Sequence, residues 1–362
     1  MAYSTISKPG LHFNTLTWTG DGGTQSFTGV GFQPDFVWSK ARVALTGITG
    51  SHFLYDAVRG GGAEKELRSN DTGAEGSSAN QVYGYVSSFD SDGFTTTAGS
   101  SNNKYFNESS KTYVGWNWKA GGSASSNSDG SITSSVSANT TAGFSISTFT
   151  TPASGTFTVG HGLGVAPKFI IARCYNISSD WICGHDSVGW TYQLSLNSTA
   201  AKADQPAFND TAPTSTVWTG NTANFGAGYT GLAYCFAEKK GYSKFGSYTG
   251  NGNADGTFIY TGFKPAFLMT KRTDTTSEWV IFDNKRDSFN QVQKFLQPNS
   301  TSAEGNDNGT SSGKQIDFLS NGWKMRGTTG GMNASGGTYI YMAFAEEPLV
   351  ANVGASIPAT AR

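Results

Sequence analysis

The chain has 362 residues and a net charge of −1, from 25 basic and 26 acidic residues. This balance excludes the strong basic footprint of a general nucleic-acid binder, and the length exceeds the ~250–300 residues at which a single core stops growing. Glycine is abundant, at 47 residues, and aromatic residues reach 13% while charged residues reach only 14%. Disordered chains are poor in aromatic residues, so this composition favours an all-β protein with many turns.

The first ten residues lack the basic segment and apolar stretch of a secretory signal. No apolar run approaches the ~18 residues of a membrane span, so no membrane insertion is expected. The three cysteines, Cys174, Cys183 and Cys235, cannot form a disulfide framework. We therefore expect synthesis in a reducing cytoplasm, with a single Cys174–Cys183 disulfide across a short loop as the alternative.

Three segments of the chain share one order of features, which predicts an internal triplication. Each begins with a strand, a glycine-rich turn and a second strand, followed by Gly-x-x-Pro and an apolar strand that ends in a basic residue. The shared positions are the prolines Pro34, Pro167 and Pro265, the aspartates Asp56, Asp186 and Asp283, and the asparagines Asn70, Asn197 and Asn299 of a Leu-x-x-Asn-x-Thr motif. Each segment closes on another apolar strand.

This pattern predicts three tandem antiparallel β-sandwich modules, jelly-roll or lectin-like, because each sheet must bury an apolar face against another. The expected bounds are 1–120, 143–241 and 242–349, with a C-terminal tail over 350–362. Residues 121–142 form a Gly/Ser/Asn/Thr-rich tract that is typical of an exposed linker. We therefore expect a hinge after the first module and close packing of the last two.

Several positions carry specific structural expectations. The three prolines should lie at one corner of each module, just before a strand, because proline cannot donate to a ladder. The alternating residues of the closing strands should all point inward: Trp116, Trp118, Tyr234, Phe236, Met342 and Phe344. The three repeated asparagines should form turns with side chains bonded to nearby backbone; recognition by exposed amides is the rival interpretation.

Carboxylates are the first candidates for chemistry. Arg59 and Arg286 each follow a repeated aspartate by three residues, whereas the second copy has Gly189 after Asp186. A local carboxylate–guanidinium bond that pins a loop explains this spacing better than a catalytic role. Asp90 and Asp92 resemble a partial calcium loop or an acid pair for glycoside cleavage, but an Asp-Gly turn needs no metal.

The other reactive residues form no recognisable site. The four histidines, His12, His52, His161 and His185, show no metal-ligand spacing, and Cys183 beside His185 lies on an apolar strand rather than in a nucleophile motif. We therefore predict no catalytic residue, no cofactor and no metal site. Sugars stack on exposed rings, for which five tryptophans are candidates, although large aromatics more often fill a core: Trp181, Trp190, Trp218, Trp279 and Trp323.

Long motifs carry a resemblance to a known group. The stretches GVGFQPDFVWSK, SFDSDGF, VGWNWKAGG, GHGLGVAPKFII, FIYTGFKPAFLMTKR and YIYMAFAEEP are similar to those of virion proteins from tailed phages of marine bacteria, cyanophage- and pelagiphage-like, over about residues 1–349. The resemblance implies a structural role in the particle, often tail-fibre-like, and no enzyme activity.

These observations together predict a non-enzymatic virion protein, made in the host bacterial cytoplasm, that acts as a tail-fibre or baseplate appendage contacting the host surface. A capsid decoration protein or head fibre is the alternative, and a virion polysaccharide depolymerase is a weaker one. Expected partners are other virion proteins, further copies in a trimer or symmetric ring, and host surface glycans. Binding loops are expected at 69–81 or 301–312, which should vary without touching the core.

Overall fold

The computed structural model describes residues 4–307, 313–328 and 330–349. Strands account for 43% and helices for 5%, which confirms the all-β class. The runs of β-branched and aromatic residues form the strands, and the intervening glycine- and asparagine-rich segments form the turns. The predicted tail over 350–362 lies outside the described residues.

Residues 4–120, called module 1, contain a 3-10 turn at Pro9–Leu11 and two single-turn helices, α1 (Asn80–Tyr83) and α2 (Lys104–Asn107). Its strands are β1 (Phe13–Thr19), β2 (Gln25–Thr28), β3 (Phe36–Ala41), β4 (His52–Asp56), β5 (Leu67–Arg68), β6 (Tyr85–Asp90), β7 (Gly93–Thr97) and β8 (Thr112–Trp118).

Two strands, β9 (Ser125–Asn127) and β10 (Ser134–Asn139), precede module 2, which comprises residues 143–241. Module 2 has a 3-10 turn at Pro206–Phe208 and the short helix α3 (Thr222–Phe225). Its strands are β11 (Phe144–Thr150), β12 (Thr156–Gly160), β13 (Phe169–Cys174), β14 (Ile182–His185), β15 (Tyr192–Ser195), β16 (Ala203–Asp204), β17 (Val217–Asn221) and β18 (Thr230–Phe236).

In its described part, module 3 (residues 242–349) consists of strands and loops. Its strands are β19 (Ser243–Thr249), β20 (Phe258–Tyr260), β21 (Phe263–Arg272), β22 (Trp279–Asp283), β23 (Lys294–Phe295), β24 (Gly305–Asn306), β25 (Ile316–Leu319), β26 (Gly322–Met325) and β27 (Thr338–Pro348).

The principal sheets of the modules share one strand order. That order is β1-β8-β3-β4 in module 1, β11-β18-β13-β14 in module 2 and β19-β27-β21-β22 in module 3. Each module also has a smaller outer sheet, namely β2-β7-β6, β12-β17 and β20-β26-β25. A separate apolar cluster fills the space between the two layers of each module. The shared order agrees with the predicted repeats, although an internal triplication stays a prediction.

The other faces of the three principal sheets meet in a single core. This shared core draws on Phe13, Trp116 and Trp118 from module 1, Phe144, Tyr234 and Phe236 from module 2, and Phe267, Met342 and Phe344 from module 3. The expected hinge after module 1 is therefore wrong, whereas the two layers predicted for each module are present as its principal and outer sheets. Strands such as β3 are buried at every residue, because such a sheet is covered on both faces.

The tract predicted as an exposed linker over 121–142 is part of the fold. Within it, β10 pairs antiparallel with β11, and β9 pairs with β10, so that the principal sheet of module 2 has eight strands among the residues that the structure describes. Val136 and Ser137 in β10 are buried. The edge of β11 offers unpaired backbone groups that favour an added strand, and small side chains let β10 pack closely there.

The predicted core positions are found in the structure, whereas only two of the three prolines lie before a strand as predicted. Pro34 and Pro167 lie two residues before β3 and β13, and Pro265 lies within β21 at a shift in strand register. The strands that follow pair at equivalent positions, Phe36 with Trp118, Phe169 with Phe236 and Phe267 with Phe344. All six closing-strand residues are at most 2% exposed, which confirms that they point inward.

Candidate functional site

Two of the repeated aspartates form buried ion pairs with the arginine three residues later. Arg59 Nε lies 2.6 Å from Asp56 Oδ2, and Arg286 makes the same contact with Asp283 at 2.5 Å. Each arginine also reaches a second carboxylate, Glu75 at 2.7 Å or Glu304 at 3.1 Å. The predicted loop-pinning bond is therefore present in modules 1 and 3.

These aspartates also bind the neighbouring module, which the sequence did not indicate. The Tyr234 hydroxyl of module 2 donates to Asp56 Oδ2 at 2.9 Å, and Trp116 Nε1 of module 1 donates to Asp283 Oδ2 at 3.0 Å. Burial raises the pKa of Tyr234 well above its usual value, and the Asp56 charge adds to the effect. The phenol therefore stays protonated as a donor.

The equivalence assigned to Asp186 is wrong by one residue. Strand register pairs Phe36 with Asp56 and Phe267 with Asp283, but it pairs Phe169 with His185. Asp186 instead lies at the surface, where its carboxylate is 2.8 Å from Lys168 Nζ. Because neighbouring residues of a strand face opposite ways, the one-residue shift turns Asp186 away from the side on which His185 lies.

His185 replaces the aspartate as a neutral group. Its Nε2 lies 3.2 Å from the Tyr341 carbonyl of module 3, and its Nδ1 accepts the Ser187 N–H at 3.2 Å. These partners assign the proton to Nε2, since a ring nitrogen facing a carbonyl must donate. Burial lowers the pKa of His185 to about 4, an effect that the Tyr341 carbonyl and Asp186 oppose.

His185 predicts a loss of stability in acid. Its pKa rises from about 4 in the folded chain to ~6.5 after unfolding, so the unfolded chain binds the extra proton and stability falls as pH drops from 6.5 to 4. This one residue should lower the free energy of unfolding by about 3 kcal/mol at or below pH 4, relative to neutral pH. Urea unfolding at several pH values should show a flatter profile in His185→Gln, which keeps an N–H donor. Equal acid slopes in both proteins would contradict this.

Three buried cations lie at the ends of β3, β13 and β21. Lys40, Arg173 and Lys271 are at most 1% exposed. Each donates to the carbonyl of the next residue and also to a carbonyl of a neighbouring module: Thr301 for Lys40, Thr72 for Arg173 and Thr199 for Lys271.

Burial lowers the pKa of Lys40 and of Lys271 to about 8, and that of Arg173 to about 10. The accepting threonines are those of the Leu-x-x-Asn-x-Thr motif, so this motif joins one module to the next. The basic residue at the end of each apolar strand was the sequence signal for this contact.

The repeated asparagines act over a longer range than predicted. The side-chain Oδ1 atoms of Asn70, Asn197 and Asn299 accept the backbone N–H groups of His52, Trp181 and Trp279, at 2.8, 2.9 and 3.0 Å. These acceptors are 16 to 20 residues from their donors, so the expected bond to nearby backbone is wrong. Each amide instead fixes the start of the fourth strand in the principal-sheet order, which is β4, β14 or β22.

The remaining candidates also have structural partners. Asp92 accepts the N–H groups of Gly29 and Gly31, which lower its pKa, and Asp90 accepts the hydroxyls of Ser88 and Thr95. The cysteines are free and buried, and burial raises the pKa of Cys183 well above its usual range. Within the described residues, no group of three or more His, Cys, Asp or Glu side chains could hold a metal ion.

The tryptophans considered for sugar stacking are buried in the protein, and the two predicted binding loops contact neighbouring modules. All five candidate tryptophans are at most 6% exposed, so none offers a ring face. The segment 69–81 contacts module 2, where Arg173 Nη2 donates to the Thr72 and Gly73 carbonyls. In 301–312, Glu304 binds Arg42 at 2.9 Å, while residues 308–312 lie outside the described residues. Both predicted variable loops therefore contribute to contacts between modules.

A cleft of about 700 Å³ opens between modules 1 and 3. Its lining combines apolar residues such as Leu11 and Ala266 with Lys8, Lys285, Glu346 and Glu347. Burial raises the pKa of Glu347, and the neighbouring Glu346 adds to this effect. Glu346 pairs with Lys264 at 3.1 Å. This cleft is therefore a candidate position for a small polar ligand.

Comparison with known proteins places the chain in a family. A model of a domain of unknown function, DUF7483, matches residues 8–348, so the chain belongs to that family. No curated protein and no solved structure matches it. None of the helices among residues 4–307, 313–328 and 330–349 is long and apolar enough to cross a membrane.

Proposed function

We propose that this member of the DUF7483 family is a non-enzymatic structural protein of a tailed-phage particle, a tail-fibre or baseplate appendage that contacts the host surface. The observation that supports this most is how the reactive side chains are used. Buried acids, cations and a histidine bond to other modules around the shared core. Because these polar and charged groups join the modules to one another, the chain is suited to a rigid structural component that withstands mechanical force.

The capsid decoration or head-fibre role is the second candidate, because a rigid three-module body would suit it equally. Any trimer or symmetric ring with other copies would have to use the outer surfaces, since the inner sheet faces already meet within one chain. The partners would be virion proteins and host surface glycans, and the cleft between modules 1 and 3 is the position we assign to a glycan.

The depolymerase role has one feature in its favour. Glu346 and Glu347 both line the cleft, and a glycosidase needs two carboxylates of which one has a raised pKa. The ion pair between Glu346 and Lys264 argues against it. Release of reducing ends from host polysaccharide by the purified protein, lost in Glu347→Gln, would establish this role over the proposed one.

The deciding experiment compares infection by particles with and without this protein. We expect particles that lack it to keep intact heads and to lose adsorption to host cells, and immunogold labelling of complete particles should mark the tail. Normal adsorption with fragile heads would overturn the tail assignment in favour of capsid decoration. Absence of the protein from purified particles would overturn the virion role altogether.

A further inference from the structure

The strand β1 lies at the outer edge of the principal sheet of module 1. The His12 carbonyl accepts the Lys119 N–H, and Gly20 bonds through its own N–H and C=O to Lys111 and Ser110. The even-numbered residues therefore bond toward β8. Because backbone direction alternates along a strand, the odd-numbered residues Phe13 to Thr19 direct their N–H and C=O groups away from β8. Within the described residues no strand pairs with that edge.

The corresponding edge in module 2 is occupied by the chain itself. Thr15 pairs with Trp116 in module 1, and Ile146 pairs with Tyr234 in module 2. On its free side, β11 takes β10 as an antiparallel neighbour, with Ile146 opposite Ser137. The structure thus contains one example of the strand that fits this position, with the sequence Ser-Ser-Val-Ser-Ala-Asn.

The edge in module 3 is protected. On β19, the Ser243 N–H bonds to the Lys239 carbonyl at 2.9 Å, and the Phe245 N–H reaches the Glu238 carboxylate at 3.4 Å. A lysine, Lys244, also lies on that strand, and charged side chains are a common means of blocking an edge.

By contrast, β1 carries none of these protective features. Its sequence, Phe-Asn-Thr-Leu-Thr-Trp-Thr, has no charged residue and no proline. An unprotected edge of this kind is a template for pairing with another strand.

We propose that β1 accepts an added antiparallel strand from a partner chain, an uncharged extended segment with small hydroxyl side chains like those of β10. Main-chain bonds would supply affinity, and cross-strand pairs between its serines and the threonines of β1 would favour the register. The inference goes beyond the proposed function and depends on it only in placing the partner among the proteins of the particle.

The test uses the full chain and a fluorescent synthetic peptide of residues 131–140 as the probe. We expect the fluorescence anisotropy of the peptide to rise as wild-type protein is added. Thr17→Pro should weaken binding about tenfold or more, because proline removes one outward donor. The matched control Thr17→Val keeps the N–H and loses only one side-chain pair, so it should weaken binding a few-fold at most. Thr17 is exposed, so neither change disturbs the core.

Each result bears on the proposal. Circular dichroism must show the same fold in both variants; if Thr17→Pro unfolds, Thr19→Pro at the exposed end of the strand replaces it. Absence of peptide binding, or equal binding by the proline variant, would overturn the proposal. A dimer seen by sedimentation and abolished by Thr17→Pro would assign the edge to a second copy instead. Adsorption assays are separate, so failure here leaves the proposed function standing.

Discussion

Phe344→Ala should lower the free energy of unfolding by ~3–5 kcal/mol. The Phe344 ring is 1% exposed and packs against rings from all three modules: Phe13 at 5.2 Å, Trp118 at 5.8 Å, Phe236 at 6.1 Å and Phe267 at 6.2 Å between centroids. Alanine leaves a cavity where the principal sheets meet, and rigid strands on every side prevent collapse. Urea unfolding followed by tryptophan fluorescence measures the change.

The same experiment tests whether the core is shared. Because the cavity touches every module, we expect one cooperative transition shifted to lower urea, rather than early loss of module 3 alone. Phe289→Ala is the matched control, since that ring is 79% exposed and should change stability by less than ~0.5 kcal/mol. Separate transitions for the modules, or equal effects of the two substitutions, would contradict the shared core.

Arg286→Met should destabilise the chain by ~3–5 kcal/mol. The guanidinium is fully buried between Asp283 and Glu304 and also donates to the Ile281 carbonyl at 3.0 Å. Methionine fills part of the volume but leaves the Asp283 carboxylate buried without its cation. Trp116 Nε1 and the backbone N–H groups of residues 285 and 286 still donate to that carboxylate, but neutral donors do not replace the buried cation.

Two further variants define the cause of that loss. Arg59→Met should cost a similar amount, because Arg59 holds Asp56 and Glu75 in the same way. Lys168→Met removes the exposed pair with Asp186, whose side chains are 40% and 44% exposed, and should cost at most ~1 kcal/mol. A large loss in Lys168→Met, or none in Arg286→Met, would show that burial does not govern these pairs.

Much of the architecture could be predicted from local pattern. The all-β class follows from short aromatic and β-branched runs between turn residues, and the inward direction of Trp116, Tyr234 and Phe344 follows from alternation along a strand. The Asp–Arg spacing of three residues likewise predicted the local ion pairs at Asp56 and Asp283, although not their burial. Each of these inferences depends on residues that are near one another in the chain.

The residues that join modules could not be assigned in this way. Tyr234 binds a carboxylate 178 residues earlier, and Trp116 binds one 167 residues later. A single sequence does not indicate which face of one sheet packs against which neighbouring sheet. For the same reason the serine-rich tract around Val136 was interpreted as a linker, although an open edge on β11 makes it a strand.

The amino-acid sequence by itself determined the fold class, the prolines Pro34 and Pro167 before equivalent strands and the burial of the closing strands, because turn chemistry and two-residue alternation act locally. Only the tertiary structure decided that the three sheets share one core and that β1 lies at a sheet edge. It also decided that His185, and not Asp186, occupies the position that Asp56 and Asp283 have in the other modules. These features depend on strand register and on contacts between distant residues, where a shift of one residue reverses the face that a side chain occupies.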